Sequence, residues 1–144
     1  MRNSDDVFGL NNESQKLEKI INTALTKSDF SITEIIEVYY QVMNVSSTVT
    51  MLKQQFSGKD EHTSLLEKIQ EIEIIISEKF NSVLHPQVMK KLSNLIENYM
   101  KELQSISTEH KLKQDIEKEA KIYEELRQVM STKEFVKQYD KVFV

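Results

Sequence analysis

The stretch EVYYQVMNVSSTVTMLKQQF, residues 37–56, decides how this chain is read. Taken residue by residue it favours a strand, because Val38, Tyr39, Tyr40, Val42, Val45, Thr48, Val49 and Thr50 are β-branched or aromatic. Spacing points the other way. Ile35, Val38, Val42, Val45, Val49, Leu52 and Phe56 recur at intervals of 3, 4, 3, 4, 3 and 4, whereas a half-buried strand alternates every second residue. The pattern is a heptad seam, and a second row of Ile32, Ile36, Tyr39 and Met43 widens its apolar face. The segment is therefore expected to be helical. Val and Thr are mediocre helix formers, so such a helix depends on packing for its stability. The seam needs a partner helix, from this chain or from another.

Composition agrees with that reading. The 144 residues contain only two Gly and one Pro, too few for the frequent tight turns of a sandwich or barrel. Hydrophobic residues make up 39%, enough for a core, and charged residues 29%. The absence of cysteine excludes a disulfide framework, a thiol nucleophile and a thiolate metal site. MRNSDDVFGLNNES (1–14) has two early acids and no apolar segment, so a secretory signal is not expected. No run approaches the roughly 18 apolar residues of a membrane span, and an intracellular, cytoplasmic location is expected, with the nucleus as the other option. Seventeen of the 19 basic residues are Lys, and the net charge is −4. A nucleic-acid binder usually shows a basic face and uses Arg for forked phosphate contacts, so nucleic acid is not expected as a partner.

The expected fold is all-α: an antiparallel helical bundle of four to six helices with long coiled-coil-like segments. Residues 1–11 are read as a flexible tail and 12–144 as a single bundle domain. A first helix spans about 12–27, and Ser31 with Glu34 forms a capping box for the second. Gly58 suits the left-handed position just past the second helix, and Asp60 the next N-cap. In the third helix Leu65, Ile69, Ile72 and Ile76 form a seam, with Val83 as its continuation past Lys79. A break is expected over 81–86, with Pro86 opening a fourth helix on the seam Met89, Leu92, Ile96, Tyr99, Leu103 and Ile106. The pattern then resumes one residue out of phase through Leu112, Ile116, Tyr123, Leu126 and Met130, which predicts a kink or short break over 105–108. Ser131 to Glu134 reads as a second capping box opening a short final helix.

No residue pattern points to catalysis. His62, His85 and His110 lack a glutamate three residues upstream, so the Glu-x-x-His pairs of di-iron bundles are missing. Gly9 and Gly58 are too far apart in sequence to form a phosphate-cradling loop. His85, before Pro86, reads as a helix-boundary residue, and no cofactor, metal or small-molecule substrate is inferred. In composition the chain resembles small helical subunits of tethering, scaffold or kinetochore-like complexes, and helical secretion chaperones.

The function expected from these patterns is a non-catalytic protein–protein interaction module, an adaptor or scaffold subunit of a multi-protein assembly. It would bind protein partners, or itself, by helix–helix packing through Val38, Val42, Val45, Val49, Leu52, Tyr99, Leu103, Phe135, Tyr139 and Phe143. The alternative is a chaperone or immunity-type protein that captures one client through the amphipathic segment FVKQYDKVFV (135–144). A helical enzyme or ligand sensor ranks below both. Membrane contact is expected to be no more than weak and peripheral, through 132–144. DDVFGL (5–10) is a further candidate for a short motif that folds on a partner.

Overall fold

The computed structural model describes residues 9–27, 31–56, 58, 63–106 and 112–143. Among them there is no strand. The fold is all-α: α1 (Leu10–Thr26), α2 (Ile32–Phe56), α3 (Thr63–Ile75), a π-helical segment (Ile76–Leu84), α4 (His85–Ser105) and α5 (Lys113–Phe143). The chain divides into two compact units, Met1–Pro86 with Phe143–Val144, and Gln87–Val142.

In the first unit α1 packs on α2, α3 and the π segment, and α2 packs on α3. Residues 37–56 are helical, and the side chains buried on α2 include Ile35, Val38, Val42, Val45, Val49 and Leu52, the seam expected from spacing. Phe56 is half-buried. Leu10 opens α1 two residues ahead of the expected start and is fully buried, and Gly9 just before it takes φ +71°. Residues 5–8 of the DDVFGL stretch, Asp60, His62 and His110 lie outside the described residues.

The expected capping box closes in both directions. The Glu34 amide donates to Ser31 Oγ at 3.2 Å, and the Ser31 amide donates to Glu34 Oε1 at 3.3 Å. Lys27 Nζ adds an ion pair to Glu34 at 2.6 Å, tying the end of α1 to the start of α2. Gly58 takes φ +80°, the left-handed conformation expected past α2. Lys79 to Glu18 (3.1 Å) and Lys53 to Glu73 (3.2 Å) link helices at the surface.

The break expected over 81–86 is absent: helical structure is carried through 81–84 in π form and passes directly into α4 at His85. Ile76, Phe80 and Leu84 are the buried side chains of the π segment, four residues apart, while Val83, expected on the seam, is exposed. In a π-helix each ring closes one residue later than in an α-helix, so the buried row advances by four where an α seam would alternate three and four. The His85 amide accordingly donates to the Phe80 carbonyl, five residues back. Ser82 Oγ donates to the Ser77 carbonyl at 2.8 Å, also five back. Pro86 gives a local reason: its ring would clash with the carbonyl four residues earlier in a regular α turn, and widened turns just before it relieve that clash.

The second unit holds most of α4 and α5. Val88 and Leu92 are buried on α4, with Met89, Ile96, Tyr99, Leu103 and Ile106 half-buried along the expected seam. α4 ends at Ser105, whose Oγ donates to the Glu102 carbonyl at 2.7 Å, so the helix stops where the phase slip predicted a break. α5 departs from expectation at two places. The motif at 131–134 does not open a new helix: α5 runs through it, and Thr132 Oγ1 donates to the Gln128 carbonyl at 2.8 Å, the back-bond of a threonine inside a helix. Up to Met130 the buried row is also not the expected one. Ile122, Val129, Thr132, Val136 and Tyr139 are buried, while Leu112, Ile116, Tyr123 and Met130 are at least half exposed.

Candidate functional site

Two arrangements bear on function, one in each unit. In the first unit, Tyr39 on α2, Phe80 in the π segment and His85 at the junction with α4 form a buried cluster. Tyr39 Oη lies 2.6 Å from His85 Nδ1. With the ring proton on Nε2 the tyrosine hydroxyl donates to Nδ1; with the proton on Nδ1 the direction reverses. Tyr39 meets Phe80 edge-on at a centroid separation of 4.9 Å, and Phe80 stacks on His85 at 6.1 Å with their planes 27° apart. Tyr39 is wholly buried and His85 nearly so. A buried tyrosine needs a hydrogen-bond partner for its hydroxyl, and the π segment delivers one. Buried in this way, the hydrogen-bonded pair is a polar clamp inside the core of the first unit. His85 opens α4, but with no break before it: the π segment runs directly into that helix.

In the second unit the relevant feature is the outward face of α5. Leu112 lies just before the helix. It caps α5, with its carbonyl accepting from the Asp115 and Ile116 amides at 3.0 and 3.2 Å and its own amide donating to Asp115 Oδ2 at 3.3 Å. From there Ile116, Ala120, Tyr123, Arg127 and Met130 follow at intervals of 4, 3, 4 and 3, which places them on one side of the helix. All are exposed. The large side chains Leu112, Ile116, Tyr123 and Met130 are 66%, 56%, 50% and 52% accessible, far above what a core position shows. The edge beside this stripe carries Glu117 and Glu124, both exposed; the other edge carries Glu119 and Leu126, both half-buried.

Tyr99 on α4 has the Glu125 carboxylate of α5 in its surroundings. Its phenol is held above the ordinary tyrosine range, first by burial, then by the influence of Glu125. Tyr139 is pushed up further, by burial first and then by the charge of Asp140.

The residues expected to bind partners are distributed as follows. Val38, Val42, Val45, Val49 and Leu52 are together in the core of the first unit, on one side of α2. Tyr99, Leu103 and Phe135 are half-buried and Tyr139 is buried; the Phe143 side chain lies outside the described set. Spacing alone places Leu112, Ile116, Tyr123 and Met130 on a seam, whereas the structure sets them on the surface. The signal that distinguishes the two rows is available in the sequence. Ile116, Tyr123 and Met130 are seven apart and lead to Lys137, whereas Ile122 and Val129 are seven apart and lead to Val136.

Among the described residues no three acidic or histidine side chains are grouped so as to hold a metal ion. No described helix is long and apolar enough to cross a membrane. A cleft of about 270 Å³ in the first unit is lined by Leu10, Asn11, Ser64, Leu65, Glu67, Lys68 and Glu71. Comparison with protein-family models, with curated proteins and with solved structures finds no match to this chain.

Proposed function

We propose that the chain is a non-catalytic protein–protein interaction module, a helical subunit or adaptor that packs one of its helices against a helix of another protein. In this reading the helices form an antiparallel bundle with coiled-coil-like segments. Short connections between successive helices favour antiparallel neighbours, and the 3-4 spacing recurs on α2, α4 and α5. The observation that carries the reading is the α5 stripe. Four large apolar side chains at heptad spacing, each half or more exposed, are uncommon on a surface that stays in water, and contiguous patches of this kind mark binding sites.

The binding mode follows from the geometry of the stripe. A ladder that repeats at intervals of three and four is matched by a second helix whose own apolar residues repeat in the same way. Tyr123 is suited to be the anchor, being large, rigid and able to keep its hydroxyl wet at the rim. The buried Tyr39–His85 pair then serves to fix the first unit and takes no part in chemistry.

A photo-crosslinking amino acid placed at Tyr123 tests this in cells, with the same group at exposed Glu37 on α2 as the control. A discrete adduct from position 123, absent from position 37 and lost when Ile116 is changed to Asp, is the expected result. No adduct from position 123, or one that persists with Ile116→Asp, overturns the proposal.

A further inference from the structure

We infer that the partner helix on α5 is a basic amphipathic one, with Lys or Arg along the edge that meets Glu117 and Glu124. This rests on the reading of α5 as an interaction face and names the partner chemistry that the face would select. In helix pairs the apolar seam supplies affinity, while charges on its edges set partner and orientation. Here the fully exposed edge of the stripe bears Glu117 and Glu124, one heptad apart. Lys113 stands at its start, and Lys121 lies further round the helix, away from the stripe. Arg127 lies within the stripe, where its aliphatic stem extends the apolar cover.

The same charges disfavour a second copy of the chain as the occupant. Packed antiparallel, the edge of Glu117 and Glu124 meets itself. Packed parallel and in register, Glu124 of one copy faces Glu119 of the other. Both orientations oppose acid to acid, which destabilises a helix pair. A helix with Lys or Arg on its edge turns each of these contacts into an attraction, one that salt weakens because it is exposed.

Two synthetic helices with identical apolar seams, one edged with Lys and the other with Glu, test the inference against the full chain by fluorescence anisotropy. The Lys-edged helix should bind about tenfold more tightly at low salt, and added salt should narrow the gap. Ile116→Asp should abolish binding, and Glu117→Lys with Glu124→Lys should reverse the preference. Because all three positions are exposed, circular dichroism should show each variant folded. Equal binding of the two helices, or Lys-edged binding that survives Ile116→Asp, overturns the inference. So does a homodimer, seen by light scattering, that Ile116→Asp dissolves. An adduct from position 123 in cells together with equal peptide binding removes the charge preference and leaves the interaction reading in place. No adduct and no peptide binding removes both.

Discussion

The Tyr39 hydroxyl and His85 Nδ1 meet at 2.6 Å between residues 46 positions apart, and both are buried. Their bond joins the middle of α2 to the point where the π segment hands over to α4. Tyr39→Phe should cost about 1–3 kcal/mol, because it withdraws a partner from a buried ring nitrogen. His85→Ala should cost more, about 3 kcal/mol, since it also removes the ring stacked on Phe80. Urea unfolding measures both, and the double variant should lose less than the sum. A Tyr39→Phe chain as stable as the parent would mean that the bond contributes nothing.

Val45 is buried on α2, and Val45→Asp would set an unpaired carboxylate in the core. A loss of about 3–5 kcal/mol is expected, enough to unfold a marginal unit. The complementary measurement is circular dichroism of a peptide covering residues 31–56. It should be largely unstructured alone, because its Val and Thr residues disfavour an isolated helix. A strongly helical peptide would show that α2 does not depend on its neighbours.

Ser31→Ala removes the side-chain half of the cap on α2 and should cost about 1 kcal/mol. The Glu34 carboxyl is held below its ordinary value of 4.5, first by the bond from Lys27 and then by the Ser31 amide. A depressed folded value means that the carboxylate's contribution is present above the unfolded value and is lost as pH falls through the folded one. Glu34→Gln should therefore flatten the acid side of the stability profile and leave the neutral-to-alkaline side parallel to the parent. An unchanged acid limb would exclude Glu34 as a contributor.

Tyr139 behaves in the opposite sense. Its phenol is pushed above the ordinary tyrosine value of 10 by burial. A raised folded value gives stability that is complete below the unfolded value and is lost as pH climbs through the folded one. The chain should thus weaken above about pH 10, where the unfolded tyrosine ionises and the buried one resists. Tyr139→Phe should move that alkaline decline to higher pH, as followed by ellipticity alongside tyrosinate absorbance. Parent and variant declining together would assign the alkaline transition to other groups.

Much of the first unit was legible in the sequence because α2 and α3 keep one phase along an unbroken seam, and burial reads phase directly. The 3-4 spacing outweighed the strand preference of Val, Tyr and Thr, since tertiary packing decides what propensity only biases. The capping box at Ser31 was legible for a local reason: both of its bonds lie within four residues. Residues 81–86 were not, because a proline preceded by asparagine and serine looks like a stop, and nothing short-range announces a π turn. On α5 the difference has one cause. A cap at 131–134 would cut the helix in two, so that residues 112–130 need not share a phase with Val136 and Tyr139, but α5 is continuous from Lys113 to Phe143. Once Thr132 is seen to bond back to Gln128, one helix must bury one face, and the row through Ile122 and Val129 continues further than the row through Tyr123 and Met130. The surface stripe is what the other row becomes.

The nine residues Ile76–Leu84 also have a meaning for tolerance to length change. A π turn holds a residue that an α turn has no place for, so the segment works as slack in an otherwise tightly registered chain. Removing one residue between Ile76 and Leu84 can be absorbed by tightening a turn, leaving the faces of α3 and α4 where they were. The same deletion in the middle of α2 would rotate every later side chain off the core.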